Sequence, residues 1–153
     1  MASAVSTYLR NIERALVAGR ATEHTHRRAL EELVEALDPA VRATNEPTHV
    51  ECGGPDLLVS RNGVTVGYVE TKDVGASLDR EERSEQLQRY LGALSNLILT
   101  DYLEFRWYVD GEHRQTARLA TVTRDGKVKR SKGGVQAVAG LLQKFLVQEV
   151  PIH

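Results

Sequence analysis

The chain has 153 residues, which suits one domain long enough to hold a proper core. Apolar residues at 41% and charged ones at 27%, with no Pro-, Gln- or Ser-rich tract, exclude a disordered chain. A formal net charge of −1 argues against strong autonomous binding to a polyanion, and the single cysteine, Cys52, excludes an internal disulfide framework. The start lacks an apolar h-region and no stretch nears the roughly 20 apolar residues of a membrane span, so a soluble cytoplasmic protein is expected.

Val5, Tyr8, Leu9, Ile12 and Leu16 recur at helical spacing ahead of Gly19, which predicts a helix over about residues 4 to 18. A second helix is capped by Thr22, carries the stripe Leu30, Leu33, Val34 and Leu37, and stops before Pro39. Glu23 lies in its first turn and shares a face with positions 26, 27, 30 and 34, so its carboxylate is expected on the side that packs on the domain.

Three extended runs follow: Thr48 to Cys52, Asp56 to Ser60 and Val64 to Lys72, separated by Gly53-Gly54-Pro55 and by Asn62-Gly63. A helix from about Glu81 to Leu94 carries Leu87, Tyr90, Leu91 and Leu94, and Asn96 to Thr100 reads as a buried strand. Asp110-Gly111 and Asp125-Gly126 mark two further turns, and Val135, Val138, Leu141, Leu142, Phe145 and Leu146 form the stripe of a last helix. The ending Val150-Pro151-Ile152-His153 has no obvious cap, which reads as a boundary within a longer protein; residues 1–153 are taken as a single domain.

The chemistry concentrates in Pro55-Asp56 and Glu70-Thr71-Lys72. On a strand Glu70 and Lys72 project from one face while Thr71 points away. Two carboxylates can hold a hard cation such as Mg²⁺ through oxygen, and a neighbouring ammonium can orient a water and offset charge growing on a phosphorane. Convergence depends on register. A two-residue Asn62-Gly63 turn pairs positions summing to 125 and turns Asp56 away from Glu70; a sum of 126, reached through a longer loop or a bulge, sets the two opposite each other. Gly63 and Gly67 are the expected places for the extra residue, since glycine accepts positive φ.

This order of elements, with PD then ExK on adjacent strands and Gln86-Leu87-Gln88-Arg89-Tyr90 on the next helix, resembles the PD-(D/E)xK nuclease superfamily, in its QxxxY branch. The resemblance implies an α/β fold, a restriction-endonuclease-like mixed central β-sheet flanked by helices. It implies Asp56, Glu70, Lys72, Glu23 and Gln86 as catalytic residues, with Asp56, Glu70, Thr71 and Glu23 as the metal set for Mg²⁺ or, as a substitute, Mn²⁺. Tyr90 and Arg89 would touch DNA. More specifically, TEHTHR, GGPD, YVETKDVG, EQLQRY and NLILTDYLEFRWYVDGE look like the N-terminal endonuclease region of bacterial restriction-modification proteins fused to an adenine-specific DNA methyltransferase. That implies double-stranded DNA as partner, covalently linked methyltransferase and specificity domains, and a dimer where both strands are cut. The chain itself has no DPPY-like motif, no FxGxG loop and no GxxxxGK[ST].

From His113 to Lys132 the basic residues Arg114, Arg118, Arg124, Lys127, Lys129, Arg130 and Lys132 face one acid, Asp125. Lys127, Lys129, Arg130 and Lys132 are therefore candidate phosphate contacts, against an ordinary solvated hairpin. His24-Thr25-His26 is a poor zinc pair because i and i+2 lie on different helix faces, and Cys52, with no CxxC or Cys-His partner, reads as a buried structural thiol. Phe105, Trp107 and Tyr108 read as packing residues rather than base-stacking ones. The alternative to a nuclease is a catalytically inactive module of the same fold, binding DNA or coupling a methyltransferase to it. A docking or RNA-binding module built on the basic hairpin explains that edge but not the ExK strand.

Overall fold

A computed structural model describes residues 2–19, 22–45 and 54–148. Two helices open the chain, α1 (Ala2–Ala18) and α2 (Glu23–Leu37). The Thr22 hydroxyl caps α2 by accepting from the Thr25 amide. Strand β1 (Val41–Asn45) follows, then the hairpin β2 (Leu57–Arg61) and β3 (Val64–Thr71). Two short helices, α3 (Leu78–Glu82) and α4 (Glu85–Ala93), lead to β4 (Asn96–Thr100), β5 (Glu104–Val109) and β6 (Glu112–Arg118). A separate ribbon, β7 (Ala120–Val122) with β8 (Val128–Arg130), precedes α5 (Gly134–Val147).

The six main strands form one sheet in sequence order, and β3 with β4 is its parallel pair. The intervening α3 and α4 make that parallel crossover possible. Strand alternation sorts the two faces. Leu57, Val59, Val69, Ile98, Phe105 and Trp107 look towards α1, α2 and α5 and build the larger core. Leu97, Leu99 and Tyr108 look the other way and pack with Leu78, Leu87, Tyr90 and Leu94 of the α3 to α4 region. The fold is thus a mixed α/β one, a central mixed sheet flanked by helices on both faces.

Two expectations need correction, and one strand was not expected. The helix expected from about Glu81 to Leu94 is two helices, because Ser84 is extended (ψ 153°) and caps α4 by accepting from the Leu87 amide, as Ser77 caps α3. The strand that pairs with β2 is Val41–Asn45, which begins four residues after α2; the run from Thr48 to Cys52, and with it the expected burial of Cys52, lies outside the described residues. Nor does the extra residue of the hairpin use a glycine of positive φ at both expected places.

Asn62 (φ 50°) and Gly63 (φ 80°) make a tight two-residue turn, so Arg61 pairs Val64 and Ser60 pairs Thr65 at a sum of 125. From Val59 paired with Gly67 onward the sum is 126. The inserted residue is therefore Val66, and the bulge lies beside Gly67 rather than on it. Gly67 answers to packing instead: a Cβ there would fall 2.7 Å from Phe145 Cε1 and 2.8 Å from the Asn96 carbonyl oxygen.

Among the described residues no helix is long and apolar enough to cross a membrane.

Candidate functional site

The bulge carries the hairpin into the 126 register, and the next pair in that series is Asp56 with Glu70. Side-chain bonds fix the convergence. The Asp56 amide donates to Glu70 Oε1 at 3.2 Å, while the Thr71 amide and hydroxyl both donate to Asp56 Oδ2 at 2.8 Å. Lys72 lies on the same side as Glu70, its Nζ 3.3 Å from Glu70 Oε2, 3.4 Å from Glu81 Oε2 and 3.4 Å from Gln86 Oε1. A cleft of about 370 Å³ is lined by these residues together with Glu23, Asp73 and Ala76.

Position in the fold explains the electrostatics. Glu70 is 4% exposed, near the end of a central strand, with most of its carboxylate withdrawn from water. Burial first, and the Asp56 carboxylate second, push its pKa from the ordinary value up to about 7, against the pull of Lys72. Burial alone would lower the Lys72 pKa, but Glu70 and Glu81 outweigh it and leave the ammonium more firmly protonated than a free lysine. Around the cleft the four carboxylates of Glu23, Asp56, Glu70 and Glu81 outnumber the two cations paired with them, Lys72 and Arg27.

The donor set fits a hard cation: oxygen ligands, two of them carboxylates, in an open polar cleft, which suits a Mg²⁺ that keeps several waters. The fit is partial in one respect. Among the described residues no three His, Cys, Asp or Glu side chains stand together as a metal cluster. Glu23 lines the cleft, but its side chain is 49% exposed and turned to Arg27, with Nη2 to Oε1 at 2.9 Å. It stands at the rim, not inside.

Gln86 is exposed and reaches Lys72, as the shared cleft requires, and Arg89 is exposed one turn along. Tyr90 is different. At 1% exposure it is a core residue of the α3 and α4 layer, so the expected DNA contact from its side chain is replaced by packing. Of the basic hairpin, Lys127, Lys129 and Lys132 are exposed, whereas Arg130 forms a two-pronged pair with Glu13 of α1, at 2.9 Å and 2.6 Å. Arg130 is thereby a tether for the ribbon. The ribbon leaves β6 at the sheet end that carries Thr71 and Thr100.

Sequence reasoning missed three contributors. Arg27 of α2 pairs with Asp56 Oδ1 at 3.2 Å and is only 14% exposed; its place on the Glu23 face was visible, its role was not. Glu81 braces Lys72. Asp101 receives the amides of Gly75, Leu103 and Glu104 and so ties the loop after Lys72 to the β4 to β5 turn, where Tyr102 takes a positive φ of 77°. A short loop holding a buried acid among turn residues was the available signal for Asp101.

No protein-family model matches the chain, and no curated protein does. Among solved structures it is similar to a chain of a cryoEM structure of a DrdV–DNA complex, with a TM-score of 0.76 and 23% identity over 99% of this chain. It spans 14% of that much longer chain. The likeness is one of fold: the arrangement of sheet and helices found here also occurs as a small part of a large protein seen bound to DNA.

Proposed function

We propose that this chain is the Mg²⁺-dependent DNA endonuclease domain of a restriction-modification enzyme, hydrolysing phosphodiester bonds at the cleft of Asp56, Glu70 and Lys72. The single observation that carries the reading is the bulge at Val66, which moves Asp56 onto the face of Glu70. A hairpin with an unbroken ladder would have been simpler, and the irregularity serves the carboxylate pair. The shared fold with part of the DrdV–DNA complex supports DNA as the partner and a longer parent protein.

Asp56 and Glu70 would hold the metal, with the Thr71 amide and hydroxyl fixing the Asp56 carboxylate from behind. Glu23 would join from the rim through water. Bound there, Mg²⁺, or Mn²⁺ in its place, supplies a Lewis acid for the phosphate and lowers the pKa of a coordinated water. Lys72, steered by Glu81 and Gln86, positions the attacking water and neutralises charge developing on the phosphate oxygens. Lys127, Lys129 and Lys132, with Arg89, hold the DNA backbone without reading sequence, consistent with a net charge of −1. Methyltransferase and specificity domains belong to the remainder of the parent protein, and two copies would cut both strands.

The alternative, a module of the same fold that binds or couples but does not cut, draws on the Arg27 to Asp56 pair, which occupies one carboxylate oxygen. Plasmid DNA incubated with the protein decides between them. Conversion to nicked or linear forms with Mg²⁺, lost with EDTA and with Asp56→Asn, is expected; intact plasmid at high protein and Mg²⁺ concentrations would leave the alternative standing.

A further inference from the structure

Arg27 is the cation already resident beside Asp56. Asp56 Oδ2 is fully engaged by the two Thr71 donors, so Oδ1 is its oxygen left for a cation, and Arg27 Nη2 holds it at 3.2 Å. The same guanidinium has further acceptors: Glu23 Oε1 at 2.9 Å, Asn45 Oδ1 at 3.1 Å and Thr71 Oγ1 at 3.4 Å. Arg27 can therefore give up Asp56 without becoming an unpaired charge in a nearly buried place. Asp56 cannot give up Arg27 so cheaply, since Glu70 lies on its other side.

From this asymmetry we propose that Arg27 is an electrostatic latch on the metal site: it competes with the divalent cation for Asp56 Oδ1, and cation binding requires it to release Asp56 while Glu23 and Asn45 hold it. This rests on the metal-site reading above. The latch regulates loading, keeping the carboxylate pair partly neutralised in the free protein and setting the cation affinity lower than the two acids alone would give. It also assigns Glu23 a second role, as the acceptor that keeps Arg27 paired once Asp56 is released.

The test is Mn²⁺ binding without DNA, followed by the EPR signal of the free ion. Arg27→Gln should bind Mn²⁺ roughly tenfold more tightly than the unmodified protein, as removal of a competing charge a few ångströms away predicts. Arg27→Lys, which keeps the charge, should stay near the unmodified affinity. In an Asp56→Asn background, Arg27→Gln should bring no gain. Equal or weaker binding by a folded Arg27→Gln overturns the latch, as does a gain that persists without Asp56. If neither the unmodified protein nor Arg27→Gln binds Mn²⁺, the metal-site reading falls and the latch with it. A measurement on the unmodified protein covers the case in which the variant does not fold: the Arg27 Nε–H resonance should shift along the Mg²⁺ binding isotherm, and a resonance that stays still while Mg²⁺ binds refutes the proposal.

Discussion

Two buried glutamates on the same face of the same sheet, Glu70 and Glu104, have opposite fates. Register places Leu99 beside Glu70 on one side and beside Arg106 on the other, so the two charge clusters are separated by a single strand. Glu104, 8% exposed, is met by Arg106 at 2.6 Å and by Arg118, and these pairs overcome its burial and lower its pKa. Arg106 continues to Asp79 and Glu82 of α3, and Glu82 accepts from the Tyr108 hydroxyl. Glu70, by contrast, faces another carboxylate and one lysine, and its pKa rises to about 7. A satisfied network clamps α3 to the sheet; an under-neutralised one a strand away marks the place where chemistry is expected.

Activity gives the sharpest way to break that contrast. Lys72→Ala should lower cleavage by at least about 100-fold, since it removes a cation aimed at transition-state charge. Equal rates in a plasmid assay would remove Lys72 from the mechanism. On the structural side, Arg106→Ala should cost about 2–4 kcal/mol by taking from buried Glu104 one of its two guanidinium partners and from Glu82 its cation, read as a fall in urea midpoint at unchanged slope. A midpoint that does not move would mean that α3 is held by apolar packing alone.

Neutralising each glutamate should give effects of opposite sign. In metal-free protein at pH 8, Glu70→Gln is expected to stabilise by about 1–3 kcal/mol and Glu104→Gln to destabilise. The pH dependence follows from the same shift. Because the folded-state pKa of Glu70 is raised from 4.5 to about 7, its contribution is fully present below the unfolded value and is lost as pH rises through about 7. Melting temperatures between pH 5 and 8 should fall more steeply for the unmodified protein than for Glu70→Gln, and added Mg²⁺ should recover the difference at pH 8. Parallel profiles for the two proteins would show that Glu70 is not strained. The smallest effect is expected from Lys127→Ala, Lys129→Ala and Lys132→Ala combined: a weaker, still sequence-independent DNA affinity, with the log–log salt slope reduced by up to about one per lysine and no change in stability.

Periodicity and turn chemistry were enough for most of the architecture. The α1 and α5 stripes, the Thr22 cap, the Asn62-Gly63, Asp110-Gly111 and Asp125-Gly126 turns and the buried run Asn96–Thr100 are all local signals, set by side-chain spacing and backbone preference within a few residues. The break between α3 and α4 is a local signal as well, carried by Ser84, a residue type that caps helices. Strand β1 was not: Val41-Arg42-Ala43-Thr44-Asn45 carries little apolar alternation, and pairing with β2 at the sheet's edge is what makes it extended.

For the candidate site, the sequence alone determined which residues could matter, because alternation on a strand puts Glu70 and Lys72 on one face and because the PD and ExK residues are of types that hold a cation and offset charge. It also posed the register question, since sums of 125 and 126 predict opposite outcomes. Only the tertiary structure decided that question, through a bulge at Val66 whose neighbour Gly67 must admit Phe145 and Asn96. The same holds for Arg27, Tyr90 and Arg130. Each carries a side chain whose role depends on what another element, distant in sequence, brings opposite it: Asp56 for Arg27, the α3 and β4 apolar layer for Tyr90, Glu13 for Arg130. Charge and burial are properties of a place in the fold, and no spacing within a helix or strand encodes the partner across it.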